Sequence, residues 1–240
     1  MVADGFAGRN TECLNASWFG KVYPENGRSQ TIEGIVLPHN WDDYYGHRHL
    51  VHGELHGRCV YRRAVTVKKD SSARYFLVFV VSNAANFGLG QGTSLETTDE
   101  QFLSVLQVNV LGGFRLVQLA ANRFFMRQDC NPTTGQRGVV VFVGSNSSER
   151  VNRNRITYVA SKGAMDSMMK SFAVDLAPKG IRVNMVAPGF IWTNRWEFLS
   201  DEIKAQRRSL VPNGREATGK DVADAVLYLA SDAARGFQGA

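Results

Sequence analysis

The sequence predicts an α/β fold in which a parallel sheet carries helices on both faces, and three observations predict it. Two short stretches, Arg74 to Val81 (RYFLVFVV) and Val139 to Val143, are apolar without alternation, the pattern of strands buried on both sides. Helical text lies between and after them, with apolar residues recurring at Phe102, Leu103, Leu106, Val110 and Phe114, the spacing of one helix face. A third strand, Ile181 to Val186, runs into Pro188-Gly189, at the carboxyl end where open α/β sheets bind ligands.

Taken in order, Met1 to Thr31 scatters Gly, Asn and Ser without a helical or strand period and reads as a loop or disordered leader. Residues 32–81 read as a β-rich segment of strand and loop, ending in the buried strand. Phe87 to Gly92 (FGLGQG) tempts a phosphate-loop reading, but its G-x-G-x-G spacing fits no such motif and no helix follows directly, so it reads as a loop. Asp99 to Met126 is a helix, with Thr97 or Thr98 to cap it and Asp99 and Glu100 suited to its first turn. Asn131 to Gly138 is a turn. The helix from about Thr157 stops at Pro178-Lys179-Gly180, a helix-ending signal. Asp201 to Arg208 and Asp221 to Ser231 close the chain as two more helices.

Composition excludes more than it assigns. With 240 residues, 44% hydrophobic and 21% charged, the chain is globular and long enough to bury a core. Its net charge of +6 comes without a nucleic-acid recognition motif and reads as a basic solvated surface. Cys13, Cys59 and Cys130 lack paired or metal-like spacing, so a reduced, cytoplasmic protein is expected. All five histidines (His39, His47, His49, His52 and His56) fall in the β-rich segment; His52 and His56 have helical metal-ligand spacing, but Gly53 and Gly57 argue against a helix and hence against a metal. The start MVADGFAGRN lacks a signal-peptide core. Asn109 and Arg115 interrupt the best membrane-spanning candidate, so no membrane is expected.

Chemistry concentrates around Tyr158. Lys162 lies four residues on and Ser145 thirteen residues before. On a helix, four-residue spacing sets Tyr158 and Lys162 on one face, a turn apart. An ammonium beside a phenol favours the phenolate, so the tyrosine is expected to titrate below its usual value of about 10. A hydroxyl delivered by Ser145 could hold a carbonyl oxygen against that phenol. Y-x-x-x-K by itself is an ordinary exposed helix pair; its surroundings give it weight.

Those surroundings, YVASKGAMDSMMKSFAVDLAPKGIRVNMVAPGFIWTN (Tyr158 to Asn194), GVVVFVGS ending in Ser145, VNVLGGF around Asn109 and SNAA from Ser82, resemble the short-chain dehydrogenase/reductase family over about residues 83–239. The fold this implies is a partial doubly wound, Rossmann-like parallel sheet with flanking helices, residues 82–240 forming the catalytic portion. The family's N-terminal βαβαβ half, with its glycine-rich turn, is replaced in the text by the β-rich segment. That segment, through LPHNWDD (Leu37 to Asp43), Tyr61-Arg62-Arg63 and the alternating Ala64 to Val67, resembles part of the sugar-binding β-sandwich of glycoside hydrolase family 2, the β-galactosidase type, over about residues 32–79. No hydrolase carboxylates accompany it.

The first resemblance implies reversible hydride transfer between NAD or NADP and an alcohol or ketone, with 3-oxoacyl and sugar or polyol substrates in range. By the same resemblance, Tyr158 exchanges the hydroxyl proton, Lys162 tunes it and bonds the nicotinamide ribose, Ser145 orients the substrate oxygen, and Asn109 anchors a relay water. Asn83, Ala84, Tyr158, Lys162, Pro188, Gly189, Ile191 and Thr193 contact the cofactor. A small-molecule alcohol or carbonyl substrate and a homo-oligomer are the expected partners, with no nucleic acid. Two other readings stand beside this one: a non-catalytic remnant or fusion that keeps the motif, and a carbohydrate-binding module. The missing glycine turn favours the remnant.

Overall fold

Strand β5, Gly138–Val143, is the centre of the sheet that positions the site. It lies between β4, Phe79–Ser82, and β6, Ile181–Val186, and pairs with both in parallel. Its side chains divide by parity, as strand geometry requires. Val140 and Phe142 pack with Val117 of helix α2 (Gly112–Arg123) and Met165 and Met169 of helix α3 (Ile156–Leu176). Val139 and Val141 pack with Val226 and Leu229 of helix α5 (Gly219–Ala230). A strand covered on both faces has no polar side to present, which is why its text carries no alternation.

The computed structural model describes residues 18–24, 30–35, 57–62, 78–88 and 92–240, and the chain divides into two units at Ala73 and Arg74. In the first unit, β1 (Trp18–Pro24) pairs antiparallel with β2 (Gln30–Ile35) on one side and β3 (Gly57–Arg62) on the other. Strand therefore occupies part of the stretch expected to be loop. WFGKVYP is rich in aromatic and β-branched residues that favour strands, but too short and too interrupted by Gly20 to show a period. The five histidines lie outside the described residues, as do Leu89 to Gln91 of the FGLGQG stretch. Among the described residues no three His, Cys, Asp or Glu side chains gather where one metal ion could sit.

In the second unit the helix expected from Asp99 to Met126 is present as one continuous helical run with a π turn set inside it. Helix α1, Asp99–Leu106, starts with a reciprocal cap in which Thr98 accepts from the Gln101 amide and the Gln101 side chain accepts from the Thr98 amide. Gln107–Leu111 then forms one turn of π-helix, α2 follows, and a short 3₁₀ turn spans Phe125–Arg127. By length and composition alone the run Asp99–Arg127 would reach across a bilayer, a test that the core helix of a soluble protein also passes. Here it covers the sheet instead, with Val105, Asn109, Gly113, Val117 and Ala120 turned inward. At Gly113 a Cβ would sit 3.1 Å from both the Phe142 ring and Ser82 Oγ, so the absent side chain is what lets α2 approach the sheet.

Helix α3 buries Tyr158, Ser161, Lys162, Met165, Met169, Ala173 and Leu176, a stripe at steps of three and four. The stripe is polar at its N-terminal end and apolar toward the other. Pro178 and Gly180 end the helix as expected, Gly180 with φ +72° in the left-handed region. Arg182 of β6 is buried and donates to the carbonyls of Leu229 and Ser231, at 2.8 and 3.0 Å, capping the end of α5. The last residues lie along the other edge of β6, where Gly239 N–H donates to Val183 O and Met185 N–H donates to Ala240 O. Helix α4, Asp201–Ser209, carries a bidentate Arg208–Glu216 pair on its outer side.

Candidate active site

The ends of β5 and β6 are held together past the strands themselves. Gly144 N–H donates to Val186 O at 2.8 Å and Asn146 N–H donates to Pro188 O at 3.0 Å. This brings Ser145 beside the loop that carries Pro188 and Gly189. Gly189 passes Asn146 so closely that a Cβ would lie 3.3 Å from its amide nitrogen. Ile191 forms a bridge with Ala217, and Trp192 N–H donates to Ala217 O at 2.8 Å. Pro188 and Ile191 are half-buried; Gly189 and Thr193 are exposed. Asn83 and Ala84 are also exposed, in the loop that leaves β4.

Tyr158 and Lys162 share the inward face of α3, with Lys162 Nζ 5.6 Å from the centre of the Tyr158 ring. The Ser145 hydroxyl lies near enough to the phenol to lower its pKa, while its own proton goes to Ser147 Oγ at 3.1 Å. Ser145 is itself oriented by Ser147, whose N–H donates to Ser145 Oγ at 3.1 Å. The three residues singled out by spacing are therefore one constellation. Their electrostatics differ from the expectation. Tyr158 titrates above its ordinary value: burial, which disfavours the phenolate, outweighs the Ser145 hydroxyl and the nearby Arg155 charge, both of which lower it. Lys162 directs its ammonium to Val143 O, 2.9 Å away, and burial pushes its own pKa down to about 8.

Asn109 sits in the middle of the π-helical turn, 1% exposed, with its amide fully engaged. Oδ1 accepts from Asn86 N–H at 2.6 Å, and Nδ2 donates to Asn86 O at 2.9 Å and to Ser161 Oγ at 2.8 Å. Ser161 passes the connection on by donating to the Tyr158 carbonyl at 2.8 Å. The asparagine thus ties the loop after β4 to the turn of α3 that carries Tyr158.

Three neighbours were not singled out by the sequence reading. Phe87 stacks on Tyr158, ring centres 5.6 Å apart and planes 16° from parallel. Arg155 places its guanidinium 5.4 Å from the Tyr158 ring centre. Asn86 holds the loop through its backbone bonds to Asn109 and through its own side chain, which reaches Ser104. Arg155, three residues before Tyr158, was visible as a helix-surface neighbour; Phe87 and Asn86 meet the site only through the fold.

A family described as enoyl-(acyl carrier protein) reductase matches residues 67–240. The chain belongs to the short-chain dehydrogenase/reductase family. The family match starts before Asn83, so part of the segment likened to a sugar-binding sandwich falls within it, as does β4, which covers Phe79–Ser82 of the strand expected from Arg74 and is half-buried at residues 79–81 rather than fully buried on both faces. Among relatives, L-fucose dehydrogenase of Mus musculus is 31% identical over 174 residues, 70% of this chain and 60% of that protein. The 3-oxoacyl-(acyl-carrier-protein) reductase FabG of Haemophilus influenzae is 38% identical over 134 residues, 56% of this chain and 52% of that protein. This short-chain dehydrogenase/reductase chain thus spans about half to three fifths of the length of the curated relatives it matches. The crystal structure of gox2181 superposes with a TM-score of 0.60 at 32% identity, over 68% of this chain and 62% of that one. That of the angucycline C-6 ketoreductase LanV with bound NADP gives 0.58 at 29% identity, over 68% and 59%. The Rossmann-like parallel sheet with flanking helices is common to these family members.

Proposed function

We propose that this chain carries the reacting half of an NAD(P)-dependent short-chain oxidoreductase that interconverts an alcohol and a ketone on a small molecule, of 3-oxoacyl or sugar type. The observation that carries this reading is the pairing of Tyr158 and Lys162 on the buried face of α3, 5.6 Å from ring centre to ammonium, with Ser145 beside them at the carboxyl end of β5. The relatives that act on a 3-oxoacyl carrier protein and on L-fucose support the substrate classes.

The residues present suit a dinucleotide's nicotinamide end. Lys162 is 3% exposed, and its ammonium has three N–H donors against one acceptor, Val143 O. A buried cation in that state fits ribose hydroxyls. Asn83 and Ala84 after β4, and Pro188, Gly189, Ile191 and Thr193 after β6, would flank the ring. Bound there, NAD or NADP supplies or takes the hydride.

The chain's own part is proton chemistry and positioning. Ser145 fixes the substrate oxygen against the phenol. Tyr158 gives its proton to that oxygen in reduction and takes it back in oxidation, a contribution typically of about 10²–10⁴-fold. Its raised pKa keeps it protonated, and so ready to donate, at neutral pH. Asn109, with both amide hydrogens engaged, positions the loop after β4, and a relay water would reach it only through an oxygen acceptor. The exposed Leu103, Leu111 and Phe114 along α1, the π turn and α2 support a homo-oligomer, and the exposed, unpaired Cys130 agrees with a reducing cytoplasm. The likeness of about residues 32–79 to a sugar-binding sandwich fragment rests on the sequence motifs alone, since the described strands β2 and β3 both pair with β1, which lies outside that stretch.

The test is cofactor oxidation with a panel of 3-oxoacyl thioesters and keto sugars at millimolar NADH and NADPH. Turnover of either class that is lost in Tyr158→Phe supports the reading. A folded chain that turns over none of them favours the remnant.

A further inference from the structure

We infer that Arg155 is a positioning residue for the proposed proton donor: its guanidinium lies over the Tyr158 ring and holds it in place. This rests on the reading of Tyr158 given above and deepens it. Lys162 was the cation expected beside the phenol.

Four observations support it. First, the Arg155 guanidinium carbon lies 5.4 Å from the ring centre, a distance at which a cation and an aromatic face attract. Second, Phe87 stacks on the same ring, so the phenol is bracketed by a neutral aromatic and a cation. Third, the backbone is bent to deliver this side chain. Asn154, with φ +57°, is the non-glycine residue with positive φ among the described residues, and Arg155 follows it as the residue leading into α3. Asparagine is among the residues that tolerate that region, and such conformations collect at functional sites. Arg155 makes no side-chain capping bond to the helix it precedes. Fourth, Lys162, at 5.6 Å from the same ring centre, has its ammonium engaged by Val143 O at 2.9 Å.

The charged groups facing the phenol are Arg155 and Lys162, from the lead-in to α3 and from α3 itself. The end of β5 contributes the neutral Ser145, and the loop after β4 the neutral Phe87. Arg155 opposes the effect of burial on Tyr158. Alcohol oxidation needs the phenolate as base, so removing this charge moves the rising limb of the oxidation profile to higher pH. Ketone reduction needs the protonated phenol, so its falling limb moves the same way.

The experiment is a pH titration of the full chain labelled with ¹³Cζ-tyrosine, with the Tyr158 resonance among the seven tyrosines assigned by its loss in Tyr158→Phe. In Arg155→Gln the Tyr158 pKa rises by about one pH unit, and in Arg155→Lys it stays near the wild-type value. An unchanged titration in Arg155→Gln overturns the inference. So does a rise of about one pH unit in Arg155→Lys, since that would make the role one of packing; this arm, read against wild type, also serves if the glutamine variant does not fold. The titration needs no cofactor, so its failure removes Arg155's role and leaves the oxidoreductase reading to the Tyr158→Phe assay.

Discussion

Replacing Asn109 with alanine should loosen the site from behind. The substitution removes three hydrogen bonds, two to the Asn86 backbone and one to Ser161, at a side chain that is 1% exposed. At about 1 kcal/mol net for each, the loss is about 3 kcal/mol, with a further cost where the Asn86 amide is left without its partner. In a unit of this size 1 kcal/mol corresponds to about 2–4 °C, so the melting temperature should fall by about 6–12 °C. Circular dichroism at 222 nm reads that fall. Hydrogen exchange at the Asn86 amide reads its cause, because this N–H donates to Asn109 Oδ1. The loop carrying Phe87 is released with it, so the stacking on Tyr158 should weaken too. A fall below about 2 °C with Asn86 protection intact would refute the claim that Asn109 ties the loop to α3.

Two further expectations concern Lys162 and the cofactor. The folded pKa of Lys162, about 8, lies below its unfolded value, so the cost of burying its charge is fully present below pH 8 and is relieved as pH rises toward the unfolded pKa. Lys162→Met should therefore melt higher than wild type at pH 7, with the gap closing between pH 8 and about 10; a gap independent of pH would contradict this. A dinucleotide gains much of its hold from pyrophosphate on a helix N-terminus, and on the sequence reading that the segment before Asn83 replaces the family's glycine-rich turn, that hold is reduced. Several charge-assisted bonds at about 1.5–3 kcal/mol each are then missing, and fluorescence titration with NADH and NADPH should show weak or undetectable binding. Micromolar affinity for either would mean that another part of the chain supplies the phosphate site.

What the sequence made legible follows from how each feature is encoded. Gly138–Val143 was legible because a strand covered on both faces must be apolar throughout. The end of α3 was legible because Pro178 and Gly180 are local signals with one meaning. The pairing of Ser145, Tyr158 and Lys162 was visible as spacing on a strand end and a helix. The π turn at Gln107–Leu111 was not, because QVNVL is unremarkable helical text and the wider turn accompanies a contact to Asn86, 23 residues away. The titration of Tyr158 was misjudged for a related reason. Spacing puts Lys162 a turn from the phenol but says nothing of Val143 O, which takes the ammonium, or of how deeply the ring is buried. Arg155 and Phe87 converge on Tyr158 from different segments, a meeting that only the fold arranges.

The central claim is that Tyr158 exchanges a proton with an oxygen whose carbon exchanges a hydride at the same site. Transfer of deuterium from NADPH labelled at the nicotinamide C4 into the carbinol of the product, followed by mass spectrometry under millimolar cofactor, tests it most directly. Wild type should place the label on the carbinol carbon, and Tyr158→Phe, which keeps the ring and removes the proton, should lower the rate by at least about 100-fold. No label from the folded wild-type chain, or label arriving undiminished in Tyr158→Phe, would contradict the account.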